Sequence, residues 1–431
     1  MGHRERWATR AERRALIVRT FRREFGPEPT SALTRFQQAL AGPTRRIVMS
    51  GDIDGLVSAM MLGQATGWKV AAIVLKSEEL LLHPDYDDVE ALTTDAGSLF
   101  GVDVFSARFD SVSNHPVLWG SKRLGGSADA FALTSDFDRR VLETAEQRLV
   151  ANAALWAGTQ ASVDDERVPT AAPYKYPLGT AQLLLAMLEL AGCGPRFPDR
   201  DYLPWLVANC DGGLTTLSSA AWNVPLWWSA MSASVGWGSA SDHLFRIARE
   251  QRPTEFPDTV NGLRLENPDV ADLLTDKWNL RVPPKSSIES TLAGVAKWID
   301  GISGWSDPFL GGLDTLAAGT WKTITMPRGL LVMAGLPKAT KRSLSGPPRT
   351  NSMVVGIEHW LERSGLDALQ MHLDAALDSI HTSFSTYPEG WRLGWARPQT
   401  LGIDFLKSIT SVVPDLPDLD DGTLFEGGDE G

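Results

Sequence analysis

Arg46-Ile47-Val48-Met49-Ser50-Gly51-Asp52-Ile53-Asp54-Gly55-Leu56-Val57-Ser58-Ala59 is the stretch whose reading decides the fold of this chain. Its apolar run before Gly51-Asp52 reads as a short buried strand ended by a turn. From Leu56 to Thr66 there is no proline, and Leu56, Ala59 and Met60 fall on one side, so a helix follows, closed by Gly67. Val70 to Leu75 reads as a second buried strand, and Gly101 to Phe109 as a further one. Strand, loop, helix, strand is a βαβ unit and implies an α/β fold with a parallel sheet and helices on both faces. Such sheets present ligands at the carboxyl ends of their strands, which is where Asp52 and Asp54 fall. Two carboxylates one residue apart repel unless a cation lies between them. Gly55 permits a tight entry into the helix. A turn with no further role is the competing reading of the same string, because Asp and Gly are common turn residues.

Working outward, about residues 5–25 read as an exposed basic helix. Eight arginines at or just before it (Arg4, Arg6, Arg10, Arg13, Arg14, Arg19, Arg22 and Arg23) accompany an apolar stripe of Trp7, Ala11, Leu16, Ile17 and Phe21. That face suits either a nucleic-acid arm or pairing with the acidic surface of the chain itself. A long helical pattern runs from about Phe137 to Gln160, followed by a polar loop from Ser162 to Pro173. A second helix is predicted from Thr180 as N-cap to Ala191, with Gly192 just past its end. Tyr202 to Cys210 is an apolar segment leading into Asp211-Gly212-Gly213.

Past about Ser219 the composition changes. Trp222, Trp227, Trp228 and Trp237 cluster, either to stack on bases or to pack an aromatic core, and Lys338, Lys341, Arg342 and Arg349 form a basic loop. The expected organisation is a basic helical segment over 1–40 and an α/β domain over 41–218. A mixed α+β, Trp-rich carboxy-terminal domain over 219–413 follows, able to serve a protein partner, then an acidic disordered tail over 414–431 with seven acids and no base.

With 431 residues, 43% of them apolar, the chain can bury a large core. Its 41 basic and 53 acidic residues leave a net charge of −12, which argues against coating an extended duplex. A small phosphorylated compound or short oligonucleotide held by a few local cations remains compatible. Cys193 and Cys210 have no metal-site spacing and read as buried reduced thiols. No secretory signal and no 18-residue apolar run are seen, so a cytoplasmic protein with no membrane partner is expected.

The order of these residues resembles the DHH phosphoesterase family over about residues 45–215. Ser50 to Ala59 resembles the family's first motif, D-x-D-G leading into a helix, and Asp103 its strand-borne second aspartate. Ser113-Asn114-His115 falls where the name-giving Asp-His-His would lie, with only His115 retained, and Leu206 to Gly212 is similar to the fourth motif, ending in Asp211. The resemblance implies a phosphodiesterase or exonuclease-like hydrolase with Asp52, Asp54, Asp103, His115 and Asp211 as metal ligands. Its catalytic set would be Asp52, Asp54, His115 and Asp211. Oxygen-rich ligation with one imidazole suits Mn²⁺ or Mg²⁺ better than zinc. Asp110 is a candidate substitute donor beside His115. Lys122, Arg123 and Lys175 are candidate phosphate contacts, with ordinary surface cations as the plainer reading.

Three other readings compete. In a haloacid-dehalogenase-type phosphatase Asp52 would be a covalent nucleophile and Asp54 a general acid, although Ser50-Gly51 separates the apolar run from Asp52. A pyrophosphatase-type ATP loop would put Asp52 in a phosphate cradle, where its charge repels the anion. A degenerate DHH-like protein would bind or assemble without cutting.

Overall fold

Ile47, Val48 and Met49 are all fully buried, which requires a strand covered on both faces. The structure, a computed structural model, describes residues 10–75, 79–94, 96–114, 128–153, 155–156, 178–197, 203–210, 223–236, 238–250, 255–276, 278–325 and 367. Along the chain lie α1 (Arg10–Glu24), α2 (Ala32–Ala41), β1 (Arg46–Ser50), α3 (Ile53–Thr66), β2 (Lys69–Val74), β3 (Glu79–Leu82) and α4 (Val89–Thr94). After a 3-10 turn (Ala96–Ser98) come β4 (Leu99–Val102), β5 (Asp110–Val112), α5 (Ala128–Gln147), β6 (Val150–Ala151), α6 (Thr180–Leu190) and α7 (Leu203–Asn209). The remainder comprises α8 (Asn223–Val235), α9 (Ala240–Glu250), α10 (Phe256–Leu265), α11 (Pro268–Ala271), α12 (Ile288–Ser303), α13 (Leu313–Ala317) and β7 (Lys322–Thr325).

The strands form one mixed, mostly parallel sheet in the order β6-β5-β4-β1-β2-β3-β7, and the fold is α/β as expected. β1 pairs in parallel with both β2 and β4, and among the described strands β3 alone runs opposite to the rest, antiparallel to β2 and β7. Successive side chains alternate between two cores. Ile47, Met49, Ile73, Phe100 and Val102 join α1, α2, α3 and α6 on one face. Val48, Ala72, Val74, Leu80 and Leu99 meet Leu92 and Val89 of α4, with Val104 and Phe109, on the other. The first core continues past residue 219: Trp227 of α8 is fully buried and meets Phe21 of α1 edge-on at 6.1 Å. Trp227 and Trp228 thus fill a packed interior.

Several boundaries differ from the sequence reading, each for a physical reason. The predicted strand from Gly101 to Phe109 is interrupted, because the backbone turns left-handed at Asp103 (φ 57°), and the next regular strand begins at Asp110. Val104, Phe105 and Phe109 are buried by packing instead. The helix predicted over 137–160 spans Ala128–Gln147. Its apolar pattern runs on because Leu149, Val150 and Ala151 belong to or adjoin the edge strand β6. The guanidinium of Arg35 in α2 ends that helix by donating to the carbonyls of Ala145 (2.7 Å), Glu146 (2.7 Å) and Arg148 (3.0 Å). On the basic α1, Arg23 pairs with Glu24 at 2.7 Å and donates to Trp156 O, so it serves the chain's own surface. Of the thiols, Cys210 is buried and Cys193 only half-buried, its pKa pushed up by burial.

His83 follows β3 near the amino-terminal edge of the parallel strands. Its ring stands edge-on to Trp321 at 5.4 Å, and Nδ1 accepts from Asp85 N. Burial lowers its pKa, Arg46 adds to that, and Asp85 opposes it. The folded state therefore favours neutral imidazole. Its stability contribution is full above the ordinary value of about 6.5 and is lost as pH falls through it toward the lowered folded value. Tm should fall between about pH 7.5 and 5.5, and His83→Gln should flatten that slope. An unchanged slope in the variant would assign the pH dependence to other groups.

Candidate functional site

Register places four residues side by side at the carboxyl edge of the sheet. Met49, Val102, Val112 and Ala151 are level across β1, β4, β5 and β6, so Ser50, Asp103, Ser113 and Asn152 end or follow those strands in a row. All four are buried. The strand order also reverses between β1 and β4, the point at which open α/β sheets bind ligands.

Asp52 caps α3. Its Oδ1 accepts from Gly55 N at 3.0 Å, and its backbone is extended. The same oxygen lies 2.7 Å from Ser50 Oγ, which lies 2.5 Å from Asp103 Oδ2. One hydroxyl, with one proton, therefore bridges two carboxylates. The negative charge left over is what a cation at this edge would offset. Asp103 is 2% exposed and adopts the left-handed backbone that Asp and Asn tolerate best. Its other oxygen, Oδ1, accepts from Thr180 Oγ1 at 2.7 Å, and Thr180 Oγ1 in turn accepts from Asn114 N at 3.1 Å.

Asp54 sits in the first turn of α3 and is 3% exposed. Its carboxylate faces the start of α6: Oδ2 accepts from Thr180 N at 2.8 Å and Oδ1 from Ala181 N at 2.7 Å. Bonds to a charged acceptor contribute about 1.5–3 kcal/mol each, and a carboxylate at a helix amino terminus gains further from the macrodipole. This contact also explains why Gly179, and not Thr180, is the N-cap of α6. The acceptor that a capping side chain would supply comes from α3, and the Thr180 hydroxyl is turned onto Asp103. Gln182 completes the junction. Its Oε1 accepts from Gly179 N, and its Nε2 donates to Val207 O (2.7 Å) and Cys210 O (2.8 Å) at the end of α7.

No family model, curated protein or solved structure matches this chain.

Of the residues predicted for the site, Asp52, Asp54 and Asp103 are brought to one edge by β1, α3 and β4. His115, Lys122, Arg123, Lys175 and Asp211 lie outside the described residues, as do Trp222, Trp237, the basic loop over 338–349 and the tail over 414–431. Among the described residues no three His, Cys, Asp or Glu side chains form a group that could hold a metal by themselves. Asp110 is corrected. It begins β5 at the opposite edge, bonded to Arg45 at 2.6 Å and to Leu149 N, so it is a structural ion pair. Also among the described residues, no helix is long and apolar enough to cross a membrane.

The roles of Ser50, Thr180, Asn114 and Gln182 emerge from the three-dimensional arrangement. Ser50 lies in the strand-to-helix stretch and Thr180 carries a helix-start signal. Neither signal says which carboxylate a hydroxyl will meet, since Thr180 is 77 residues from Asp103 in the chain.

Proposed function

We propose that the carboxyl edge of β1 and β4 holds Mn²⁺ or Mg²⁺ and that the chain is a phosphoesterase acting on a nucleotide or short oligonucleotide phosphate ester. The observation that carries this reading is the approach of Asp52 and Asp103 to a single hydroxyl, that of Ser50, at the switch point of the sheet. The donors there are carboxylate and hydroxyl oxygens, which fit a hard, oxygen-preferring cation. Asp52 and Asp103 would hold it, joined by His115 and Asp211 according to their order in the sequence. When bound, the cation supplies charge stabilisation and activation of water for attack at phosphorus. Ser50 orients both carboxylates, and Thr180 holds the far oxygen of Asp103. The amides that open α3 and α6 already serve Asp52 and Asp54, which disfavours a phosphate cradle at either helix start.

A second reading, a protein that binds without cutting, draws on Ser113 and Asn114 standing on the ligand edge where stronger donors would be expected. Turnover separates the two. Short oligonucleotides, cyclic dinucleotides, pyrophosphate and a generic phosphodiester should be tested with Mn²⁺ against wild type and Asp211→Ala. Hydrolysis that needs Mn²⁺ and is lost in the variant is expected. Hydrolysis that survives Asp211→Ala would move the assignment to Asp52 as a covalent nucleophile, and no hydrolysis on any substrate would favour the binding role.

A further inference from the structure

We infer that Asp54 is a positioning residue that fixes α6 against α3 and thereby sets Thr180 on Asp103, and that it does not ligate the cation. Both of its oxygens already accept backbone amides, from Thr180 and Ala181, in a setting 3% exposed. Leaving them for a metal would strand two N–H groups at a buried helix start, which is unfavourable in a site shielded from water. The approach is also built into the backbone. A Cβ at Gly179 would lie 3.0 Å from Asp54 Oδ2, 2.9 Å from Gln182 Oε1 and 3.1 Å from Cys210 O, so a side chain there would crowd the carboxylate and the Gln182 amide, which would have to give way by a few tenths of an ångström.

The consequence reaches the site through one residue. Thr180 gives its amide to Asp54 and its hydroxyl to Asp103 Oδ1, so the grip on its backbone decides where the hydroxyl points. Asn114 N holds that hydroxyl from the β5 side. A chain of hydrogen bonds therefore runs from Asp54 through Thr180, Asp103 and Ser50 to Asp52. D-x-D-G is in this protein divided between two tasks: the first aspartate faces the edge, and the second ties two helices. The statement about ligation rests on the phosphoesterase reading, whereas the tie between α3 and α6 stands without it.

The test combines Mn²⁺ binding, followed by calorimetry, with hydrogen exchange of the amides at 180 and 181 in wild type, in EDTA and in Mn²⁺. Slow exchange in both conditions is expected. Rapid exchange in EDTA would overturn the tie, and protection lost on adding Mn²⁺ would show Asp54 moving to the cation. Asp54→Asn should lower Tm in EDTA by about 5 °C or more, while Mn²⁺ affinity stays within about tenfold. A ligand would behave the other way, with Tm in EDTA unchanged or raised and Mn²⁺ binding lost. If Asp54→Asn does not fold, that outcome supports the tie, and the exchange data on wild type decide ligation. Thr180→Val should weaken Mn²⁺ binding about tenfold, with Thr180→Ser restoring it. Wild-type affinity in Thr180→Val would overturn the positioning of Asp103. A wild type that binds no Mn²⁺ would end the phosphoesterase reading, leaving the tie to the EDTA measurements.

Discussion

Gly55→Ala should destabilise the protein by about 3 kcal/mol or more, despite placing a better helix former in a helix. Gly55 lies in the first turn of α3, flush against the end of β1. A Cβ there would come within 2.3 Å of Ser50 O, 2.4 Å of Ser50 Oγ and 2.9 Å of Ser50 N. Helix propensity favours alanine by only about 1 kcal/mol. The obstructing atoms are mainly backbone of Ser50, which is level with Val74 of β2 at the end of β1, so they cannot rotate aside, and the steric term wins. Gly301 in α12 is the control, because a Cβ there meets nothing within 4 Å. Gly301→Ala should be neutral or stabilising by up to about 1 kcal/mol. Urea unfolding of both variants checks the contrast. Equal stabilities would mean that α3 does not seat on β1 as closely as described. Because Ser50 is the hydroxyl between Asp52 and Asp103, Gly55→Ala should also disturb the candidate site in any fraction that folds.

Asp103→Asn should abolish Mn²⁺-dependent turnover, by more than about 100-fold, without lowering the stability of the metal-free protein. Asparagine matches aspartate in size and tolerates the left-handed backbone at this position, so the turn after β4 is kept. Its Oδ1 can still accept from Thr180, and its Nδ2 can donate to Ser50 Oγ. That lets the Ser50 proton go wholly to Asp52 and removes a buried negative charge. Tm in EDTA should therefore hold or rise while Mn²⁺ binding falls. A large drop of Tm in EDTA would make Asp103 a structural carboxylate, and retained turnover would remove it from the ligand set. Asp54→Asn has the opposite expected signature, so the pair of variants separates the charge that serves the edge from the charge that holds the helices.

The βαβ beginning is legible because local rules agree there. An unbroken apolar run needs a strand covered on both faces, and Gly67 has the left-handed backbone predicted for a helix end. Asp-x-Asp-Gly marks the strand-to-helix turn for the same reason, since Asp caps and Gly admits the close approach. Legibility fails where long-range contacts replace local ones. α5 stops where Arg35, more than 100 residues away in sequence, takes its last carbonyls. The strand after Gly101 breaks because Asp103 turns to meet Ser50 and Thr180.

By itself, then, the sequence determines the α/β class, the position of β1 and α3, and the aspartates that reach the carboxyl edge. These follow from periodicity, turn chemistry and charge over a few neighbouring residues. Only the tertiary structure decides the division of labour among those aspartates. Asp52 and Asp54 stand one residue apart in the same turn, yet one faces Ser50 and the other is held by two amides of a helix that begins 126 residues later. A carboxylate's role depends on which donors surround it in space, and those donors come from parts of the chain that no local pattern connects.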